Sequence, residues 1–149
     1  KAVSNISSVT KFISVKGNTT ASHIAGARDY YGDVDKITVN TMAFNEIGLY
    51  PDLMKINIEG HEAVVLTNIP LSKWENLDCF VALHDNNIRN EVFDFFKDTN
   101  INLFSQKIGW RKANKANDLS LETIGSESKE KDGYVFVSAK KNMIWNDRK

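Results

Sequence analysis

The chain has 149 residues, 42% of them hydrophobic, enough for one core and one domain. Lys plus Arg and Asp plus Glu are each 19, so there is no global electrostatic case for nucleic acid or an anionic membrane. The single cysteine, Cys79, excludes an internal disulfide and a multi-cysteine zinc site. Cys79 lies in the apolar run "CFVAL" and is expected to be a buried, inert thiol. No apolar run approaches the roughly 20 residues of a membrane span, and no signal peptide is visible. A cytoplasmic location is the expectation, with no membrane and no nucleic acid among the partners.

Taken in chain order, "VTKFISV" (Val9 to Val15) alternates apolar and polar residues and predicts a half-exposed strand. Ala2 to Ser4 is expected to pair with it through "NISS" as a hairpin. "KGNTTAS" and "ARDYYGDVD" read as loops, and "KITVNT" (Lys36 to Thr41) as a strand. Thr41 is expected to cap a short helix, "MAFNEIG", which Gly48 ends. Leu53 to Ile58 then forms a mostly apolar strand, and "HEAVVLTN" a helix that stops before Pro70.

"DCFVALH" (Asp78 to His84) is nearly all apolar, the pattern of a strand covered on both faces. Asn87 is expected to cap the next helix, where Ile88, Val92, Phe95 and Phe96 form an apolar stripe. "INLFSQKIGW" reads as a strand. Residues 111–132 read as a polar insertion, "YVFVSAK" as the last strand, and residues 141–149 as a tail. This order predicts one α/β domain over residues 1–149, with the last two strands as an antiparallel pair at the sheet's edge.

In open α/β sheets, ligands bind beyond the carboxyl ends of the strands. Asn57, Glu59 and His61 follow one such end, and His84, Asp85 and Asn86 another. If the two strands are parallel neighbours, both sets share one rim. The same residues also fit a purely structural role. Glu59 would favour the positive end of the following helix, Gly60 would allow a tight turn, and His84 would bond to backbone. His23 has no evident partner. No spacing typical of a metal site is present, and no metal is expected.

"LMKINIEGHEAVVL" resembles the "lKiDvEGhE–vL" signature of the FkbM-type methyltransferases, S-adenosylmethionine-dependent O-methyltransferases. Lys55, Ile56, Glu59, Gly60, Glu62 and Leu66 carry the resemblance, with His84 in support. "AVSN", "ITVNTMAFNEI", "DCFVALH" and "GYVFVSAK" resemble further family segments in the same order. The resemblance implies a Rossmann-like class I methyltransferase sheet, incomplete on its N-terminal side, with strands four to seven and a preceding hairpin. "LMKINI" would be the fourth strand and "CFVALH" the fifth, and the final strand would run antiparallel.

The cofactor implied is S-adenosylmethionine, and the acceptor a hydroxyl on a sugar or small metabolite. His61, His84 and Glu59 would be the catalytic candidates, with Asn57 and Gly60 as cofactor contacts. The glycine-rich cofactor turn would precede Ala2, so a longer parent chain or an oligomer partner is expected to complete the fold. Asn57, Ala43 and Ala82 stand where the family pattern has carboxylates. That loss motivates a second expectation, a degenerate relative acting as a binding or scaffold module.

Overall fold

The computed structural model describes residues 1–48, 51–119 and 133–143. The chain is α/β and divides into two compact units, one over 1–49 and 58–69, the other over 50–57 and 70–149. Among the described residues, no helix is long and apolar enough to cross a membrane.

The first unit holds strands β1 (Ala2–Ser4), β2 (Val9–Val15), β3 (His23–Ile24) and β4 (Val34–Ala43), and the short helix α1 (Glu62–Leu66). The sheet order is β1-β4-β2-β3. β2 runs antiparallel to β4, with Phe12 opposite Ile37. β1 does not form the expected hairpin with β2. It pairs in parallel with β4, Ser4 opposite Ala43. The reason lies in the connection. Thr41 donates its hydroxyl to Ile6 O (2.8 Å) and receives Ser8 N (2.9 Å), which fixes residues 6–8 as a turn and delivers β2 to the far side of β4. Thr41 is therefore a strand residue rather than a helix cap. The expected helix shrinks to a 3-10 turn over Phe44–Glu46. Ile13, Val15, Phe44, Val65 and Leu66 are buried in this unit.

The second unit holds β5 (Leu53–Ile56), β6 (Asp78–Leu83), α2 (Asn86–Phe96), β7 (Asn102–Ser105), β8 (Arg111–Lys112) and β9 (Gly133–Ser138). The sheet order is β5-β6-β9-β7-β8. β5 and β6 are parallel, while β9 runs antiparallel to both β6 and β7. β5 stops at Ile56, two residues short of its expected end.

β7 and β9 form the expected antiparallel pair, but β8 lies outside them at the edge. Arg111 and Lys112 are thus strand rather than insertion, and Leu119 is buried. Residues 120–132 of the expected insertion and 144–149 of the tail lie outside the described residues. Asp85, not Asn87, caps α2, receiving Ile88 N at 2.8 Å. Its short carboxylate reaches the amide three residues on, which suits the cap position.

Ile88, Val92 and Phe96 bury the expected stripe of α2, and Trp74 meets Phe96 edge to face at 5.2 Å. On the sheet, Phe136 in β9 lies 4.8 Å from Phe80 and 6.3 Å from Phe104. β9 is buried at every position except Tyr134 because it is a central strand. Asp78 fastens its end, taking a hydrogen bond from Ser138 Oγ (2.6 Å) and an ion pair from Lys140. Phe136→Ala should therefore cost about 3–5 kcal/mol. The check is urea denaturation followed by tryptophan fluorescence.

Candidate functional site

Two strand ends in the second unit carry the first group of candidates. β5 and β6 are parallel neighbours, Ile56 opposite Val81, so their carboxyl ends share one rim. Asn57 follows β5 and is exposed. His84 follows β6 and is buried, next to the capping Asp85. Of the expected rim, Asn57 and His84 follow these two neighbouring strand ends, whereas Glu59 and His61 do not belong to this unit.

Glu59, Gly60 and His61 belong to the first unit, where they build a turn into α1. Glu59 has φ 54° and Gly60 φ 100°. Two successive left-handed residues reverse the chain sharply, at a backbone cost for Glu59 that glycine does not bear. The turn is held from inside. The Glu62 carboxylate, fully buried, receives Ile58 N on Oε1 (2.9 Å) and Gly60 N on Oε2 (3.0 Å). A carboxylate stripped of water is costly unless paired, and these charge-assisted bonds offset that cost. Glu62 is accordingly a buried clamp, not a surface residue of the first helical turn.

From outside, Arg28 forms an ion pair with Glu59. Gly60 has a further reason to be glycine. A Cβ there would lie 2.6 Å from the carbonyl oxygen of Ala27. The space over Gly60 is thus filled by the protein's own backbone and is not open to a ligand.

His61 is half-buried at the start of α1. Its Nε2 lies 3.0 Å from Ser4 Oγ, across the contact between α1 and β1. Burial lowers the imidazole pKa, and the neighbouring Glu62 charge only partly restores it. Burial therefore favours the neutral imidazole of His61.

Arg28 also lines a concavity of about 870 Å³ with Lys11, Ile13, Asp29, Tyr30 and Lys36. Lys36 Nζ sits 5.4 Å from the Tyr30 ring centroid, and Lys11 Nζ donates to Thr38 Oγ1 at 2.9 Å. Cationic side chains and Tyr30 thus share this concavity with the apolar Ile13 and Ala25. Ser4 and Arg28 were not sequence candidates. Each reaches the turn only through folding, and neither "AVSN" nor "ARDYYGDVD" carries a local signal for it.

Elsewhere, His23 is buried in β3 with Nδ1 at 2.8 Å from Ala21 O, a backbone-bonded histidine. Cys79 is fully buried and its thiol pKa is pushed far up by desolvation, as an inert thiol requires. No group of three metal-ligating side chains occurs among the described residues.

The described residues do not by themselves fit an S-adenosylmethionine pocket. Glu59 and Glu62 are both engaged within the protein, and the space over Gly60 is filled. The first unit supplies a half-buried histidine and a concavity with cationic side chains, and the second supplies the exposed amide of Asn57. Comparison of the chain with protein-family models, curated proteins and solved structures found no match.

Gly60→Ala should destabilise the protein by at least about 2 kcal/mol, through strain and the clash with Ala27 O. Urea denaturation followed by circular dichroism checks it. Ala27→Gly in the same chain should give no recovery, because the clashing atom is backbone.

His61 links stability to pH. Its folded pKa lies below the unfolded value of about 6.5. As pH falls, the unfolded chain binds the proton first, so the contribution present above pH ~6.5 is lost as pH falls through the folded value. The thermal midpoint of the wild type should fall more between about pH 7.5 and 5 than that of His61→Asn, measured by scanning calorimetry.

Proposed function

We propose that the chain acts in an FkbM-type S-adenosylmethionine-dependent O-methyltransferase and contributes its acceptor side. The observation that carries this reading is the place of β9. The last strand inserts antiparallel between β6 and β7, next to the parallel pair β5 and β6. Numbered by the resemblance, these four strands run fourth, fifth, seventh, sixth, with the seventh reversed, while the edge strand β8 falls outside that numbering and is antiparallel to β7. The rim with Asn57 and His84 lies at the carboxyl ends of the fourth and fifth strands, where such sheets bind ligands.

When bound, the cofactor would supply an activated methyl group. The chain's own residues have simpler tasks. His61, neutral and half-buried, accepts the proton of the acceptor hydroxyl. Glu59, held by Arg28, keeps the turn that presents His61. The groove of Lys11, Arg28, Asp29, Tyr30 and Lys36 suits a saccharide or another polyhydroxylated small molecule as acceptor. Cofactor contacts beyond Asn57 would come from residues other than those described.

A second reading has its own observation. Glu59 and Glu62 are consumed by structural contacts, and Asn57, Ala43 and Ala82 take the place of carboxylates. Those features favour a degenerate relative that binds without catalysis.

Isothermal titration of S-adenosylmethionine into the full-length natural protein separates the two. On the methyltransferase reading, binding is on the order of micromolar. His61→Ala should then lower methyl transfer to a saccharide panel on the order of 10²-fold. Folded protein that gives no heat and no methylated product overturns the methyltransferase and leaves the binding module.

A further inference from the structure

The geometry points to Ser4, with Asn5 behind it, as the device that fixes the tautomer of His61 and leaves Nδ1 as its basic atom. This inference rests on the methyltransferase reading for its catalytic meaning, though not for its geometry. Ser4 has one hydroxyl proton. It is donated to Asn5 Oδ1 at 3.1 Å. An amide oxygen only accepts, so that bond spends the proton. With the proton in that bond, the 3.0 Å contact of Ser4 Oγ with His61 Nε2 is assigned as an N–H donated by the ring to the hydroxyl. A neutral imidazole carries one proton in all, and with it on Nε2 the lone pair is on Nδ1.

Two features hold this relay in place. Ser4 is only 5% exposed, so water does not compete freely for its hydroxyl. Its backbone is pinned opposite Ala43 by the parallel pairing of β1 with β4. His61 is fixed at the start of α1 by the clamped turn before it. Nδ1 makes no hydrogen bond to the described residues. An acceptor hydroxyl can meet a lone pair there, whereas the opposite tautomer would offer it an N–H and no base. Ser4 is thus a positioning residue, acting through His61.

Long-range proton–nitrogen NMR on the labelled protein at about pH 7.5 tests this without cofactor or acceptor. The expected wild-type result is a pyrrole-like shift at Nε2, a pyridine-like shift at Nδ1, and an Nε2–H proton in slow exchange with water. In Ser4→Ala the Nε2–H signal should be lost and both nitrogens should move toward the mixed values of free histidine. Ser4→Thr should restore the wild-type pattern.

A pyridine-like Nε2 in the wild type overturns the proposal even if Ser4→Ala fails to fold. An unchanged spectrum in folded Ser4→Ala overturns it as well. The expected tautomer in a protein that binds no S-adenosylmethionine would sink the methyltransferase reading and leave the relay standing.

Discussion

The buried carboxylate of Glu62 is the constraint on which the first unit's candidate residues depend. It takes amide protons from both sides of Glu59, so the backbone between Ile58 and Gly60 has one shape. That shape forces Glu59 and Gly60 into left-handed conformations and sets where His61 begins the helix. Arg28 then engages Glu59, and the backbone of Ala27 comes down on Gly60. A side chain two positions from the turn thus organises residues drawn from β1, from the loop after β3 and from α1.

The two units supply different chemistry. The second offers a strand-end rim, exposed Asn57 and buried His84 with a capped helix behind them. The first offers a clamped turn, a neutral histidine and a groove with donors on its walls. In both, carboxylates near the candidates are spent on structure: Glu62 on amides, Glu59 on a guanidinium, Asp85 on a helix cap.

Much of the second unit was legible because its signals are local. The unbroken apolar run of β6 marks a covered strand, and the spacing of Ile88, Val92 and Phe96 marks a helix face. The strand–helix–strand order is compatible with the parallel neighbours β5 and β6 but left their adjacency a condition, which the pairing of Ile56 with Val81 meets. Non-local choices were not legible. Nothing in "AVS" says that it will pair in parallel with residues nearly forty positions later instead of with the next strand. That decision rests on Thr41 bonding to the turn at residues 6–8, a contact between segments silent on their own. Asp85 and Asn87 are both chemically able to cap, and only the path of the chain after β6 selects between them. Ser4 and Arg28 are ordinary residues in sequence and become part of the site only because β1 and a loop are folded against α1.

The place of β9 also bears on how the second unit is made. β6 and β7 lie on either side of a strand separated from β7 by more than twenty-five residues of chain. During synthesis each therefore emerges with the edge that β9 will cover still bare. Closing that long connection carries an entropic cost before any pairing is gained, which places the sheet among slower-folding topologies. Until Val135, Phe136 and Val137 arrive, the apolar interior around Phe80 and Phe104 has no cover. An uncovered apolar edge of this kind is open to pairing with other chains. The Asp78 contacts with Ser138 and Lys140 close that window, fastening the late strand at the end where it leaves the sheet.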